Sequence, residues 1–104
     1  MQSFSVADLD PERFIERVRT EIASHGLEEV ASIELDGNQI VVRISQFGTS
    51  RVVYTIEPAP TGFRARLTHE TIAPMHRALL PVLQDKLNAV LERVGASLEA
   101  PPAP

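Results

Sequence analysis

The sequence predicts an α+β two-layer sandwich in the order α-β-β-β-β-α, with a four-stranded antiparallel meander that carries both helices on one face. Three observations lead to this fold class. A segment with helical periodicity lies near each end of the chain, four segments between them alternate apolar and polar residues, and short turns containing glycine or proline join those four segments. Short turns favour antiparallel neighbours, since a parallel crossover needs about a dozen residues.

The first helix is defined by signals at both of its ends. Asp10 is a suitable N-cap, Pro11 fits the first helical position, and Gly26 suits the left-handed residue that follows a last helical turn. Between these limits one apolar stripe is formed by Phe14, Ile15, Val18 and Ile22. The sequence therefore predicts an amphipathic helix over residues 11–24 that buries one side.

Four strands are predicted, at residues 31–35, 40–44, 52–56 and 63–69. The segment Asp36-Gly37-Asn38 is a strong hairpin signal, because glycine accepts the left-handed backbone of a tight turn. Period-two alternation assigns every second residue to the core face. Those residues are Ala31, Ile33, Leu35, Ile40, Val42, Ile44, Val52, Tyr54, Ile56, Phe63, Ala65 and Leu67. Phe4 and Val6 are compatible with a short leading strand.

The opposite face of this sheet, the outer face, is the more informative one. We predict that it binds a protein partner through four arginines and two valines: Arg43, Arg51, Arg64, Arg66, Val41 and Val53. Covering an exposed valine would favour binding, since burial of such a side chain gains roughly 1.5–3 kcal/mol. Register counted outward from turns at 48–50 and 58–62 places Arg43, Val53 and Arg66 side by side. The alternative is a solvated face whose arginines pair with neighbouring glutamates, each exposed pair being worth about 0–1 kcal/mol.

The last helix is predicted from about Ile72 or Pro74 to Val94. Its apolar residues recur every three or four positions: Ile72, Met75, Leu79, Leu83, Leu87, Val90 and Val94. Pro81 lacks the amide that a helix interior requires, so a kink is expected there at a cost of about 3 kcal/mol. The alternative is a complete break, with a short turn at 74–79 and a helix from Pro81. An unbroken helix would span about 31 Å and overhang the sheet, so we expect a second copy of the chain to pack against it.

Composition indicates a single globular domain over residues 1–96 and a disordered Ala/Pro-rich tail over residues 97–104. The chain has 104 residues, and its content of 43% hydrophobic and 23% charged residues is that of an ordinary globular protein. A net charge of −4 disfavours binding to nucleic acid or to an anionic membrane. The first residues carry neither a basic region nor a long apolar run, and no stretch reaches the ~18–20 apolar residues of a membrane span. We therefore expect a cytoplasmic location.

No set of residues has the composition of an active site, so we expect no enzymatic activity, no catalytic residue, no metal and no cofactor. The absence of cysteine removes thiolate chemistry and cysteine-based metal sites. The segment from His69 begins like the helical zinc signature, but alanine stands at position 73, where the second histidine is needed. His69, Glu70 and His76 remain the one conceivable set of metal ligands. The glycines are dispersed, and no serine has a recognisable base as its partner.

These features predict a non-enzymatic, homodimeric adaptor or chaperone-like module that holds a protein partner through the outer face or the long C-terminal helix. The alternative is a domain that binds a small apolar ligand between the sheet and the last helix, where Tyr54, His69 and Met75 would line one end. It requires a cavity of at least ~300 Å³. Nucleic-acid binding is disfavoured further, because Phe47 at a turn is the only aromatic residue of the outer face on which a base could stack.

Overall fold

The computed structural model describes residues 2–45 and 48–99. The elements are β1 (Phe4–Ala7), α1 (Pro11–Ser24), β2 (Ala31–Asp36), β3 (Gln39–Ser45), β4 (Thr49–Ala59), β5 (Gly62–Thr71), α2 (Pro74–Arg77), α3 (Leu80–Arg93) and β6 (Ala96–Leu98). Within the described residues, six strands form one antiparallel sheet in the order β2-β3-β4-β5-β1-β6. The α+β class and the antiparallel sheet are confirmed. The four-stranded meander is wrong, because the sheet is a curled half-barrel of six strands.

The two added strands come from the terminal segments of the chain. In β1, Phe4 lies opposite Ala65 of β5, and on the other side of β1 Phe4 lies opposite Leu98 of β6. The pairing continues past β6, since the Glu99 amide donates to the Ser3 carbonyl at 2.9 Å. The folded part therefore extends to Glu99, beyond the expected boundary at residue 96. The remainder of the predicted disordered tail, residues 100–104, lies outside the described residues.

Helix α1 forms as its end signals predict. The Asp10 carboxylate accepts a hydrogen bond from the Arg13 amide at 2.8 Å, and Pro11 is the first helical residue. At the other end Gly26 is left-handed with φ +69°, and the Leu27 amide donates to the Ile22 carbonyl at 3.0 Å. These bonds satisfy backbone groups that a helix terminus leaves without partners.

The predicted long C-terminal helix is two helices, so the layout of the helices differs from the expected one. Pro81 is the second residue of α3, in the first turn, where the missing amide has no helical partner to lose. The helical conformation is interrupted at Leu79, which has φ −103° and ψ 3°. The alternative of a complete break is therefore the structure that forms. As a result Met75 and Leu79 are exposed, whereas Val90 and Val94 keep their predicted places in the core.

The register of β3, β4 and β5 also differs from the predicted one. Ser45 pairs with Thr49 and Ala59 pairs with Gly62, so strand pairing approaches both turns more closely than expected. Strand β4 includes Pro58. The nitrogen of Pro58 faces the side of β4 on which pairing with β3 ends at Thr55, so no strand hydrogen bond is lost for want of an amide hydrogen. A bulge between Val53 and Tyr54 adds one residue to β5 and shifts its faces beyond that point.

Side chains of the inner sheet face, α1 and α3 share one core. Its centre is aromatic: the ring of Phe4 lies 5.5 Å from that of Phe14 and 5.0 Å from that of Tyr54, and Phe14 lies 5.5 Å from Phe63. Helix α3 adds Val90 and other apolar residues to the same cluster. The inner face is thus occupied by the protein's own helices.

Candidate interaction surfaces

The strand register arranges the outer face in cross-strand rows. The first row consists of Ser32, Arg43, Arg51 and Thr71, on β2 to β5 in turn. The second row consists of Glu34, Val41, Val53 and His69. Arg66 lies beside Thr55, and Arg64 lies beside Glu57, farther along the same face. The predicted row of Arg43, Val53 and Arg66 is therefore wrong, and the structure brings Arg43 to Arg51 and Val41 to Val53.

The two valines of the outer face are already covered within the protein. Val41 is 3% exposed and Val53 is 4% exposed, although neither belongs to the core cluster of the inner face. Arginine and threonine side chains occupy the neighbouring rows on both sides, and their aliphatic portions can shield smaller residues between them. Little apolar area is left here for a partner to bury, so recognition at this face would have to be polar.

Arg64 and Arg66 are neutralised by glutamates. Arg64 binds Glu99 through two parallel hydrogen bonds, Nε to Oε2 at 2.7 Å and Nη2 to Oε1 at 2.9 Å, and its Nη1 donates to Glu57 at 2.5 Å. Arg66 Nε donates to the other oxygen of Glu57 at 3.2 Å. The hydrogen bonds from Arg64 lower the pKa of Glu57 and of Glu99 below their ordinary values. This end of the outer face is an internal ion-pair network.

Arg43 and Arg51 have a different environment. They lie directly opposite each other on β3 and β4, and within the described residues Arg43 makes one ion pair, from Nη1 to Glu34 Oε2, at 3.4 Å. Arg51 forms no ion pair with any residue in the described part of the chain. The arginines that the sequence groups together thus separate into one pair with compensated charge and one pair with an excess of positive charge.

The largest exposed apolar side chains described lie at the junction of α2 and α3. Met75 is 61% exposed, Leu79 is 51% exposed and Val82 is 54% exposed. Pro74, Ala78 and Pro81 in the same segment are also exposed, and among the exposed side chains described from 74 to 82 Arg77 alone is charged. We refer to Met75, Leu79 and Val82 as the junction patch. The sequence pattern placed Met75 and Leu79 in a buried stripe. The signal that could have indicated their exposure was Pro81, because a helix break there removes both residues from the stripe.

Helix α2 is attached to the sheet by a buried serine–histidine hydrogen bond that the sequence did not reveal. Ser50 Oγ lies 2.5 Å from His76 Nδ1 and accepts a second hydrogen bond from the Ala73 amide at 2.9 Å. A serine hydrogen-bonded to a histidine is one requirement of a nucleophilic site, because the histidine can act as the base that activates the hydroxyl. Here, however, Ser50 is 1% exposed and His76 is 3% exposed, so a substrate could not reach the hydroxyl. The arrangement suits an anchor for α2.

The conceivable ligand set of His69, Glu70 and His76 is not brought together. Beyond the bulge, His69 pairs with Val53 on the outer face and Glu70 pairs with Val52 on the inner face. No group of three potential metal-binding side chains lies within reach of one ion in the part of the chain that the structure describes.

Burial, reinforced by the charge of Glu70, raises the pKa of Tyr54, which keeps its hydroxyl protonated.

The described side chains between the sheet and α3 leave little empty space. They surround a cavity of about 20 Å³, lined by apolar side chains together with Tyr54 and Asn88. That volume admits about one water molecule. This cavity is far smaller than the ~300 Å³ that the predicted apolar ligand requires.

The free edge of β2 is protected by α1. Arg19 Nε donates to the Ile33 carbonyl at 3.1 Å, so a side chain occupies a backbone acceptor that an added strand would use. This edge is therefore a weaker candidate for a docking surface than the junction patch.

In the described residues 2–45 and 48–99, no helix is long and apolar enough to cross a bilayer. Comparison with protein-family models finds no match to the chain, and comparisons with curated proteins and with solved structures find no significant similarity.

Proposed function

We propose that the chain is a non-enzymatic protein-interaction module that forms a homodimer, with the junction patch as the contact between the two copies. The observation that carries this proposal is the exposure of Met75, Leu79 and Val82, each by more than half. Complete burial of a side chain of this kind gains roughly 1.5–3 kcal/mol. All three side chains lie between positions 75 and 82 of the chain, and exposed apolar groups that cluster on a surface are characteristic of protein contacts.

A second copy is the simplest partner for the junction patch. A two-fold axis brings the same surface of both copies together, so one apolar patch supplies both sides of the contact. Desolvation costs little, because Arg77 is the single charged side chain among the exposed ones described in this segment. The hydrogen bonds of Ser50 hold α2 in place before binding, which reduces the entropy lost on association.

The outer face is the proposed site for a different protein, which makes the dimer an adaptor. Helix α2 is attached through Ser50, whose neighbours Val52 and Tyr54 belong to the inner face, so the dimer contact leaves the outer face free. Recognition there would use arginines, since Val41 and Val53 are covered.

Sedimentation equilibrium between about 5 and 500 µM tests the homodimer. We expect a concentration-dependent dimer for the wild-type chain, and a dissociation constant at least tenfold larger for Met75→Gln/Leu79→Gln, because two apolar contacts are lost. The matched control is Asp85→Asn/Glu92→Gln, which changes two exposed polar residues of α3 and should dimerise as the wild type does. A wild-type chain that is monomeric throughout, or a double variant that dimerises as tightly as the wild type, would refute the proposal.

A further inference from the structure

Two arginines lie directly opposite each other on the outer face, on adjacent strands, without a carboxylate residue between them. Arg43 and Arg51 are directly opposed on adjacent strands, a position in which Cβ atoms are about 4.5–5.5 Å apart. Like charges at this position repel each other. The arrangement is unfavourable for the protein alone and becomes favourable when an anion binds both groups.

The charges around this pair leave it with an excess of positive charge. Glu34 contacts Arg43 on the side of β2, away from Arg51, and at 3.4 Å the contact is longer than the bonds that hold Arg64. The other neighbours in the row are hydroxyls, Ser32 beside Arg43 and Thr71 beside Arg51. His69 Nε2 lies 3.1 Å from the Thr71 hydroxyl, so a further hydrogen-bonding group stands at this end of the row.

These donors suit a phosphate group better than a carboxylate. A phosphate monoester carries about −1.5 to −2 charges at pH 7 and three acceptor oxygens, whereas a carboxylate carries one charge and two oxygens. Arginine forks bind phosphate through paired hydrogen bonds, and two arginines on adjacent strands, flanked by hydroxyls, carry enough donors for all three oxygens.

The rest of the protein favours an isolated phosphate on a protein partner. The net charge of −4 opposes long polyanions such as nucleic acid and anionic bilayers. The four phenylalanine and tyrosine side chains in the described part of the chain, Phe4, Phe14, Tyr54 and Phe63, are buried, so none is available for base stacking. A single phosphorylated side chain requires only this one row.

We therefore propose that the row of Ser32, Arg43, Arg51 and Thr71 binds a phosphorylated serine or threonine of a partner protein. This site rests on the proposed role as a protein-interaction module, but it lies on a different surface from the dimer contact. Arg51 is the decisive residue, because it has no ion pair within the described residues and faces Arg43 directly.

An NMR titration of the full chain with acetyl-Ala-Ala-phosphoserine-Ala-Ala-amide tests the site. At pH 7 and low salt, we expect saturable shifts of the Arg43 and Arg51 Nε–H signals, with half-saturation at about millimolar peptide, and no shift at Arg64. Arg51→Thr should weaken binding at least tenfold. Arg66→Thr makes the same change on the same face at an arginine already bound to Glu57, and should bind as the wild type does.

Three further probes identify the anion: the same peptide with glutamate in place of phosphoserine, inorganic phosphate, and vesicles of phosphatidylcholine with phosphatidylserine. The peptide proposal stands if the phosphopeptide binds more tightly than all three. It is overturned if the phosphopeptide causes no shift up to about 10 mM, if Arg51→Thr binds it normally, or if any of these probes binds equally well. Sedimentation of Arg51→Thr, which should remain dimeric, separates failure of this site from failure of the homodimer.

Discussion

Gly62 connects β4 to β5 in a backbone conformation that other residues rarely adopt. Its φ is +110°, and a Cβ at this position would overlap the carbonyl oxygen of Val6 in β1. We expect Gly62→Ala to lower the free energy of unfolding by about 3 kcal/mol or more, since it adds backbone strain and separates β1 from β5. Urea denaturation measures this loss.

Gly37→Ala is the control for this prediction. Gly37 has φ +60°, but no atom lies within 4 Å of its added Cβ, so the variant should lose only the roughly 1–2 kcal/mol of a left-handed residue. Equal losses for the two variants would show that steric overlap at Gly62 plays no part.

Ser50 should contribute to stability through the two hydrogen bonds that anchor α2. Ser50→Ala removes the acceptor of the Ala73 amide and the partner of His76, both in a buried place, and we expect a loss of about 1–3 kcal/mol. Faster amide exchange in α2 should accompany it. Ser45→Ala, at an exposed serine of β3, should change stability by no more than about 0.5 kcal/mol. A similar effect of both substitutions would mean that the anchor is not stabilising.

For individual residues, the sequence predicts contacts between chain neighbours well and contacts between residues far apart in the chain poorly. Asp10 and Gly26 act at α1 as predicted, because a cap depends on residues three to five positions away. The partner of Ser50 lies 26 positions along the chain, and only tertiary packing brings His76 to it. The prediction that no serine has a basic partner was wrong for that reason.

Among the elements, β6 is held at its end by charge as well as by backbone pairing. Glu99 follows β6 and binds Arg64 of β5 across the intervening β1. Because the folded-state pKa of Glu99 is lowered, its ion pair stabilises the fold above the ordinary pKa of 4.5, and the stabilisation is lost as the pH falls through the lower folded-state value.

We therefore expect Glu99→Gln to reduce the melting temperature at pH 7 by a few degrees at most, and this reduction should shrink as the pH falls below 4.5 and the wild-type carboxylate becomes protonated. Circular dichroism over a series of pH values measures the difference. Glu92→Gln, at an exposed glutamate of α3, is the control and should match the wild type at pH 7. A difference for Glu99→Gln that persists at low pH would contradict the electrostatic origin.

Secondary-structure elements with strong local sequence signals are predicted correctly, whereas elements and strand registers without such signals are not. The Asp36-Gly37-Asn38 turn joins β2 to β3 as predicted, because alternating segments on both sides agree with it. The three residues of β6 carry no periodic pattern, and the following Ala/Pro-rich segment made them resemble the start of a tail. The bulge at Val53 and Tyr54 has no sequence signal, so the rows of the outer face could not be derived by counting.

For the whole molecule, the sheet order decides which surfaces remain available. Strand β1 lies between β5 and β6, so residues from both ends of the described chain complete one side of the sheet. Order of this kind depends on contacts between segments far apart in sequence, which periodicity does not report. The result is an inner face covered by α1 and α3, an outer face with one arginine pair that carries an excess of positive charge, and an apolar junction patch beside the anchor of α2.

Isotope-filtered NMR on a mixture of ¹³C-labelled and unlabelled chains tests the homodimer most directly, because it detects only contacts between copies. At about 1 mM protein we predict intermolecular NOEs from the methyl groups of Met75, Leu79 and Val82, and none from Val41 or Val53, which are covered by their own chain. No intermolecular NOE from the junction patch, or NOEs confined to the outer face, would contradict the proposed homodimer.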